Sequence, residues 1–380
     1  MGQCRGFDWN PLAASRHSPL AGGELARRRS GKRPAGTMNP TFDADLTPHN
    51  TFGVAARAGC LAEIRETGDL EQALELADSR GMPLLLLGGG SNVLFAGDFP
   101  GMVLLMRNRG VEIDRESGRV RAAAGENWHE LVKTCLDNGL HGLENLALIP
   151  GSAGAAPVQN IGAYGVELES FFIELELFDC DGGIRRAMGR EECGFSYRDS
   201  ALKQPRQRPR VVCSLTLQLQ SDPAPNPRYP ALAEELAESA ATPREVFETV
   251  CRIRRRKLPD PAVLGNAGSF FKNPMISRGE FDRLRARGDP PPFHPAGEGV
   301  KIPAGWLLEQ CGYKGFRQGA AGVFERHALI LVNHGGASGG GLRQLALAMG
   351  DRVFAEFGIR LEPEVRIIGG DEPMRPRRES

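Results

Sequence analysis

The stretch "LLLLGGGSNVLF" (residues 84–95) changes character abruptly, from four leucines to three glycines and two small polar residues. The leucines read as a buried strand running into Gly88, Gly89, Gly90, Ser91 and Asn92. Consecutive glycines let backbone N–H groups turn inward as a nest, and Ser91 and Asn92 add side-chain donors, which together suit a pyrophosphate. A tight turn without a ligand would use the same letters. Neither G-x-G-x-x-G nor G-x-x-x-x-G-K-[ST] is present, so the usual nucleotide-binding folds are not indicated. Upstream, Leu70, Leu74 and Ala77 share one helical face that ends at Gly81, giving helix, strand and glycine turn in succession.

Downstream, "MVLLM" (102–106), "VRAAAG" (120–125) and "FIELELF" (172–178) are strand candidates, and Trp128, Leu131, Val132 and Cys135 mark an amphipathic helix between two of them. The class is α+β. A proline-rich break, "SDPAPNPRYP" (221–230), precedes a new segment in which Thr242 and Glu245 form a capping-box pattern with Pro243 at the first helical position. That helix turns Val246, Phe247, Val250 and Ile253 inward and ends in "RIRRRKLPDP" (252–261), where positive charge suits the helix dipole. Strand and helix from Lys301 to Gly358 follow, and "LEPEVRII" closes the patterned chain. No internal repeat is found.

The chain has 380 residues, enough for two to three cores. Its 47 Lys+Arg balance 47 Asp+Glu, so no global field draws it to nucleic acid or membrane, and a small-molecule partner is expected. Eight cysteines lie far apart with no C-x-x-C and no histidine at metal-ligand spacing; they read as reduced thiols, with no metal site. With no signal-peptide h-region and no long apolar run, a cytoplasmic location is expected. Residues 1–39 are rich in Arg, Gly, Ser and Pro without apolar period and read as a disordered extension.

A second glycine-rich stretch, "ENLALIPGSAGAAPVQNIGAYG" (144–165), has small residues Gly151, Ser152, Ala153, Gly154, Ala155 and Ala156 that would leave a flat face open, with Ile149 and Ile161 to line it. A planar ring fits such a surface. One polar loop for phosphates and one apolar loop for a ring argue for a dinucleotide spread across a cleft. In "GNAGSFFKNP" (265–274), Ser269 has no nearby His or Asp to activate it, and it could be a turn residue, a nucleophile or a proton donor.

"NTFG" (50–53), "GGGSN" (88–92), "AGENWHELV" (124–132), "IPGSAGAAPVQNIGAYG" (149–165), "FSYRDS" (195–200), "KLPDP" (257–261), "GNAGSFFKNP" and "LEPEVRIIG" (361–369) occur in this order. In them the chain resembles the UDP-N-acetylenolpyruvoylglucosamine reductase family across 46–369, in its longer, Tyr-loop subtype marked by "NPRYPAL" (226–232). The resemblance implies an α+β architecture: a two-lobed FAD-binding domain of the PCMH or vanillyl-alcohol-oxidase type at 40–222, with lobes at 40–106 and 107–222. A C-terminal α+β substrate-binding domain at 223–362 and a return to the FAD domain from 363 complete it. It implies a monomer that uses FAD, with NADPH as co-substrate, to reduce UDP-N-acetylglucosamine enolpyruvate to UDP-N-acetylmuramate in peptidoglycan precursor synthesis. FAD contacts would come from Gly88, Gly89, Gly90, Ser91, Asn92, Gly151, Ser152, Gly154, Ala155, Ile161 and Gly162, and substrate contacts from Tyr229, Lys257 and Asn273, with Arg254 near either ligand. Arg198, Ser269 and Glu364 fall on the family's catalytic motifs: Arg198 and Glu364 to stabilise an enolate, Ser269 to give a proton to carbon. An alternative on the same fold is a flavin oxidase of another small substrate, which would want a base where this chain has a serine; a binding module without turnover would leave the three together without reason. His129 and His327 read as structural.

Deleting residues 1–37 is expected to leave flavin content and thermal midpoint unchanged, because the segment lacks apolar periodicity and precedes every motif. Absorbance at the flavin band and a melting curve on the truncated protein check this; a large loss of either would show that the segment packs on the body.

Overall fold

The computed structural model describes residues 38–370, apart from 205, 207, 223–224, 228, 237–240, 287–290 and 298. The expected disordered extension therefore lies outside the described residues up to 37, as does the tail from 371. Met38, assigned by sequence to the extension, is buried, and its N–H donates to Gln72 Oε1 at 3.1 Å.

The leucine run Leu84–Leu87 forms the edge of a four-stranded sheet, in the order Thr41–Asp45, Arg57–Ile64, Phe99–Met106, Leu84–Leu87. The last three strands are parallel and the first antiparallel. Helix Thr67–Ser79 follows Arg57–Ile64 and buries Leu70, Ala73, Leu74 and Ala77. Parallel strands buried on both faces read as continuous apolar runs, and this sheet shows why. Side chains alternate across it: Cys60, Ala62, Ile64, Met102, Leu104 and Met106 join one core, whereas Leu61, Leu85, Leu87, Val103 and Leu105 join another.

The first core continues into an antiparallel five-stranded sheet, ordered Ile184–Gly189, Phe172–Asp179, Arg210–Gln218, Arg119–Ala123, Val111–Asp114, and into helix Trp128–Asp137. The second continues into the C-terminal part, where Gly265–Ser269, Ile330–Asn333, Ala321–Val323 and Arg317–Gln318 make an antiparallel sheet and helix Gly339–Phe357 packs alongside. Helix Pro243–Lys257 opens at the expected capping box, with Thr242 N donating to Glu245 Oε2 at 2.7 Å and Glu245 N to Thr242 Oγ1 at 3.3 Å. It lies beyond the domain boundary expected at 222, yet Val246, Val250 and Ile253 belong to the first core, beside the second-lobe residues.

The strand Val93–Phe95 that follows the glycines pairs with none of these sheets. Its partner is Arg366–Ile368, in parallel, at the far end of the chain. The connection is locked at both ends: Arg366 N donates to Asn92 O at 3.1 Å and Ala96 N to Ile368 O at 2.7 Å.

Helix Gly339–Phe357 starts against this pair, and a β-carbon on Gly339 would overlap the carbonyl oxygen of Phe95. Gly→Ala in a helix normally stabilises by up to about 1 kcal/mol. At Gly339 the sign should reverse: Gly339→Ala is expected to destabilise by about 1–3 kcal/mol as backbone is forced apart. Urea midpoints of the two proteins decide; an unchanged or higher midpoint for the variant would contradict the packing described.

Candidate active site

The two glycine-rich loops meet face to face. A β-carbon on Gly88 would lie 2.8 Å from Ser152 Oγ and 3.5 Å from Ala155 Cβ, and one on Gly89 would lie 3.1 Å from Gly151 Cα. Gly90 sits at φ +64°, and a side chain there would overlap the carbonyl of His49, so only glycine fits both demands. No backbone carbonyl among the described residues accepts from the N–H groups of Gly89, Gly90 or Ser91. Such a row of free donors is what an anion nest requires.

The second loop is bolted to "AGENW": Trp128 N donates to Gly151 O (3.1 Å), Ala153 N to Glu126 O (2.8 Å) and Gly154 N to Ala124 O (2.9 Å). A β-carbon on Gly154 would overlap Ala124. Ile161, expected on the cofactor face, is 5% exposed, and its carbonyl accepts from Leu168 N at 2.9 Å. His129 accepts from Leu148 N at Nδ1 (3.1 Å) and stacks on Phe247. Burial lowers its pKa, as suits a neutral acceptor inside the core.

Arg198 and Tyr197 form the tip of a four-residue turn closed by reciprocal bonds, Ser196 N to Asp199 O and Asp199 N to Ser196 O, both 3.1 Å. Arg198 has φ +56°, where such a turn usually takes Gly or Asn. The turn spends conformational strain to aim a guanidinium. Arg198 Nη2 donates to Gly162 O at 2.8 Å, and its Nε lies 3.3 Å from Glu364 Oε1 but is not aligned to hydrogen-bond it. The Nε is buried with no acceptor among the described residues. Glu364 reaches this point from the chain's end: its N–H donates to Phe270 O at 2.8 Å, beside Ser269, and its carbonyl accepts from Asn92 Nδ2 at 3.3 Å. Burial raises the Glu364 pKa, opposed by Arg198, Lys203 and Lys272. Arg198, Glu364, Asn92 and the Ser269 segment, widely spaced in sequence, thus converge.

Residues 58–188 match the model of an FAD binding domain, and residues 260–368 match that of the UDP-N-acetylenolpyruvoylglucosamine reductase C-terminal domain. The reductase of Paraburkholderia phymatum is 47% identical over 331 residues, covering 85% of this chain and 96% of that protein, and the Azoarcus sp. reductase is 48% identical over 335 residues, covering 85% and 96%. The crystal structure of the Thermus caldophilus reductase superposes with a TM-score of 0.62 at 25% identity, covering 88% of this chain and 99% of that one. The chain belongs to the UDP-N-acetylenolpyruvoylglucosamine reductase family.

It is an FAD-dependent oxidoreductase on a PCMH-type FAD domain with the reductase C-terminal domain. The residues present fit the flavin: N–H groups at Gly89, Gly90 and Ser91 with no backbone acceptor among the described residues, and a facing wall at Gly151 and Ser152 without bulky side chains. Of the expected substrate residues, Tyr229 lies half out of the surface with its ring edge-on to Tyr164 at 5.4 Å. Lys257 is exposed at the end of its helix. Asn273 accepts from Ala304 N at 2.9 Å, and the pKa of the Tyr197 hydroxyl is raised by burial. Arg254, on the same helix as Lys257, has its Nε buried without an acceptor among the described residues, and burial lowers its pKa.

Several working residues escaped the sequence reading. Gln159 accepts from Asn92 Nδ2 at 2.6 Å; Asn160, fully buried at φ +41°, accepts from Glu169 N at 3.1 Å; and Lys203 Nζ donates to Arg198 O at 3.0 Å. A polar residue wedged between apolar neighbours and a glycine, as in "VQNIG", was the available signal for the first two. Away from this site, a depression of about 300 Å³ is lined by Arg65, Asn108, Arg109, Arg121, Glu176 and Arg185, among others, and by none of the expected site residues. Its charges are mutually paired (Arg121–Glu176, 2.7 Å; Arg185–Glu176, 3.1 Å), which leaves little to recruit an ionic ligand.

Gly89→Val is expected to weaken FAD retention far more than folding, since a branched side chain would press on Gly151 and crowd the free N–H groups. Flavin occupancy after gel filtration, beside a circular dichroism spectrum, checks this. Full occupancy would place the phosphates elsewhere.

Proposed function

We infer that Arg198, Glu364 and Ser269 carry out the reduction performed by this family, in which the enolpyruvyl ether of UDP-N-acetylglucosamine becomes the lactyl ether of UDP-N-acetylmuramate, a step of peptidoglycan precursor synthesis. The observation that carries the reading is the buried Arg198 Nε, held beside Glu364 at 3.3 Å and left without a hydrogen-bond acceptor. Buried donors are nearly always satisfied, so an orphan at this convergence of loops marks a place for a ligand oxygen. The substrate carboxylate supplies one.

When bound, FAD reduced by NADPH would supply the hydride chemistry at the methylene carbon of the substrate. The adjacent carbon and carboxylate then carry an enolate's negative charge. Arg198 stabilises that charge with a guanidinium whose direction is fixed by Gly162 O. Burial pushes Glu364 toward keeping a proton, with which it hydrogen-bonds an enol oxygen, while the three cations around it oppose that proton. Ser269, whose hydroxyl makes no hydrogen bond among the described residues, gives its proton to the carbon next to the carboxylate and recovers one from water. A serine needs no histidine partner for this, because it donates a proton instead of attacking.

Gly88 to Asn92 and Gly151 to Ala155 hold the cofactor, with the backbone of Ile161 and Gly162 at its edge; Tyr229, Lys257, Asn273 and Arg254 hold the nucleotide sugar and, in turn, NADPH. The FAD domain spans 40–222, with lobes meeting near 106, and the substrate domain 223–362. The protein works as a cytoplasmic monomer on small molecules, with neither nucleic acid nor membrane as partner; no helix among the described residues is long and apolar enough to cross a membrane.

The two half-reactions separate the roles. Hydride transfer from NADPH to FAD needs no proton on carbon, so Ser269→Ala should reduce its flavin at close to the wild-type rate, yet reoxidation by the enolpyruvyl substrate should slow by about 10²–10⁴-fold. Ser269→Cys, which keeps a donatable proton, should recover part of the loss. Stopped-flow traces of both steps measure this, and equal slowing of the two would make the serine a structural or NADPH-positioning residue.

A further inference from the structure

We propose that Lys203 is a positioning residue of this site, pinning the strained backbone of Arg198 and adding its charge to those of Arg198 and Lys272 that bear on Glu364. The inference builds on the reading of Arg198 and Glu364 as the enolate-stabilising pair.

Arg198 occupies the one turn position that disfavours a side chain, at φ +56°. Something outside the turn must keep it there. Asp199 and Ser200 anchor the following residues, with Ser200 N donating to Asp199 Oδ1 at 3.0 Å and Ser200 Oγ donating to Val158 O at 2.7 Å. Ser200 also accepts from Leu202 N at 3.2 Å, which caps the short 3-10 turn Ala201–Lys203 and brings Lys203 back over the loop. There Lys203 Nζ donates to the carbonyl of Arg198 itself, at 3.0 Å. An ammonium bonded to that carbonyl fixes the peptide plane after Arg198, and so the direction from which its guanidinium reaches Gly162 O and Glu364.

The charge of Lys203 has a second effect. Glu364 is faced by Arg198 from its own turn, by Lys203, by Lys272 from the Ser269 segment, and by Tyr197; Glu167 faces Arg198, while Asp199 and Glu362 face Lys203. Lys272 is already paired with Glu362 at 2.7 Å. Lys203 has no carboxylate within ion-pair distance among the described residues, so its field is directed at the site with less neutralisation than that of Lys272. It is half-buried, and burial lowers its pKa, as does Lys272. Removing its charge should let Glu364 hold its proton to higher pH.

Lys203→Met removes both effects, whereas Lys203→Gln keeps a donor for the Arg198 carbonyl and removes only the charge. Lys203→Met is expected to retain flavin and to be reduced by NADPH within about twofold of wild type, but to reoxidise at least tenfold more slowly with the enolpyruvyl substrate, and the pH limb assigned to Glu364 should move to higher pH. Lys203→Gln should regain most of the rate with the limb still displaced, and in the Glu364→Gln background neither variant should move any limb. An unchanged reoxidation rate and profile in Lys203→Met would overturn the proposal, as would equal slowing of both half-reactions. Should Lys203→Met fold poorly, the displaced limb in Lys203→Gln is the deciding result, and its absence refutes the electrostatic role. Arg198→Ala in the same assay tests the underlying reading separately: if it leaves reoxidation intact, the enolate pair itself is misassigned, whereas a slow Arg198→Ala beside a normal Lys203→Met refutes only the role of Lys203.

Discussion

A short parallel ladder joins the segment after the first glycine-rich loop to the C-terminal part of the chain: Val93–Phe95 pairs with Arg366–Ile368, and Arg366 N donates to Asn92 O. Everything in the site depends on that short ladder. It sets the segment after the first glycine-rich loop beside the segment that carries Glu364, and Glu364 N then bonds to Phe270 O, next to Ser269. A short parallel pair is weak by itself, and its hydrogen bonds net only about 1 kcal/mol each. Its strength comes from the apolar residues on it: Val93, Leu94, Phe95 and Ile368 lie in one core with Phe270 and Phe271.

Buried asparagines do for the loops what ladders do for the strands. Asn50 brackets the "NTFG" turn, donating to Leu46 O at 2.9 Å and Val54 O at 3.0 Å and accepting from Val54 N at 3.1 Å. Asn266 holds its own loop through Pro259 O, Leu264 O and Gly268 N, and Asn333 reaches Phe52 O at 2.9 Å while accepting from Gly335 and Ala337. Each amide satisfies backbone groups that would cost about 1–3 kcal/mol if buried unpaired. Irregular backbone can therefore line the cleft without being loose. A β-carbon on Gly265 would overlap Phe52 O, so the Ser269 segment can approach "NTFG" only because that residue is glycine.

Against this rigid frame the electrostatics are left deliberately unbalanced. Burial raises the pKa of the largely buried Glu364 while the charges of Arg198, Lys203 and Lys272 lower it, and the neighbouring Arg198 Nε has no acceptor among the described residues. In a site of low dielectric such an unmet donor favours an added negative charge far more than it would in water.

The linear sequence determined the local pieces and their chemistry. Period and punctuation fixed helix Thr67–Ser79, the capping box at Thr242, the leucine strand and both glycine-rich loops, since these depend on residues within a few positions of one another. The order of motifs from "NTFG" to "LEPEVRIIG" carried the family, and with it Arg198, Ser269 and Glu364 as candidates. Only the tertiary structure decided what meets what. Helix Pro243–Lys257 packs Val246, Val250 and Ile253 into one core with Leu175 and Leu215, and the glycines of one loop face those of the other. Lys203 and Gln159 gain roles from carbonyl and amide groups that sequence cannot place near them. A lysine reads as solvated surface until a fold brings it to a backbone oxygen at φ +56°, because a contact's free energy depends on distance and burial, and neither is written along the chain.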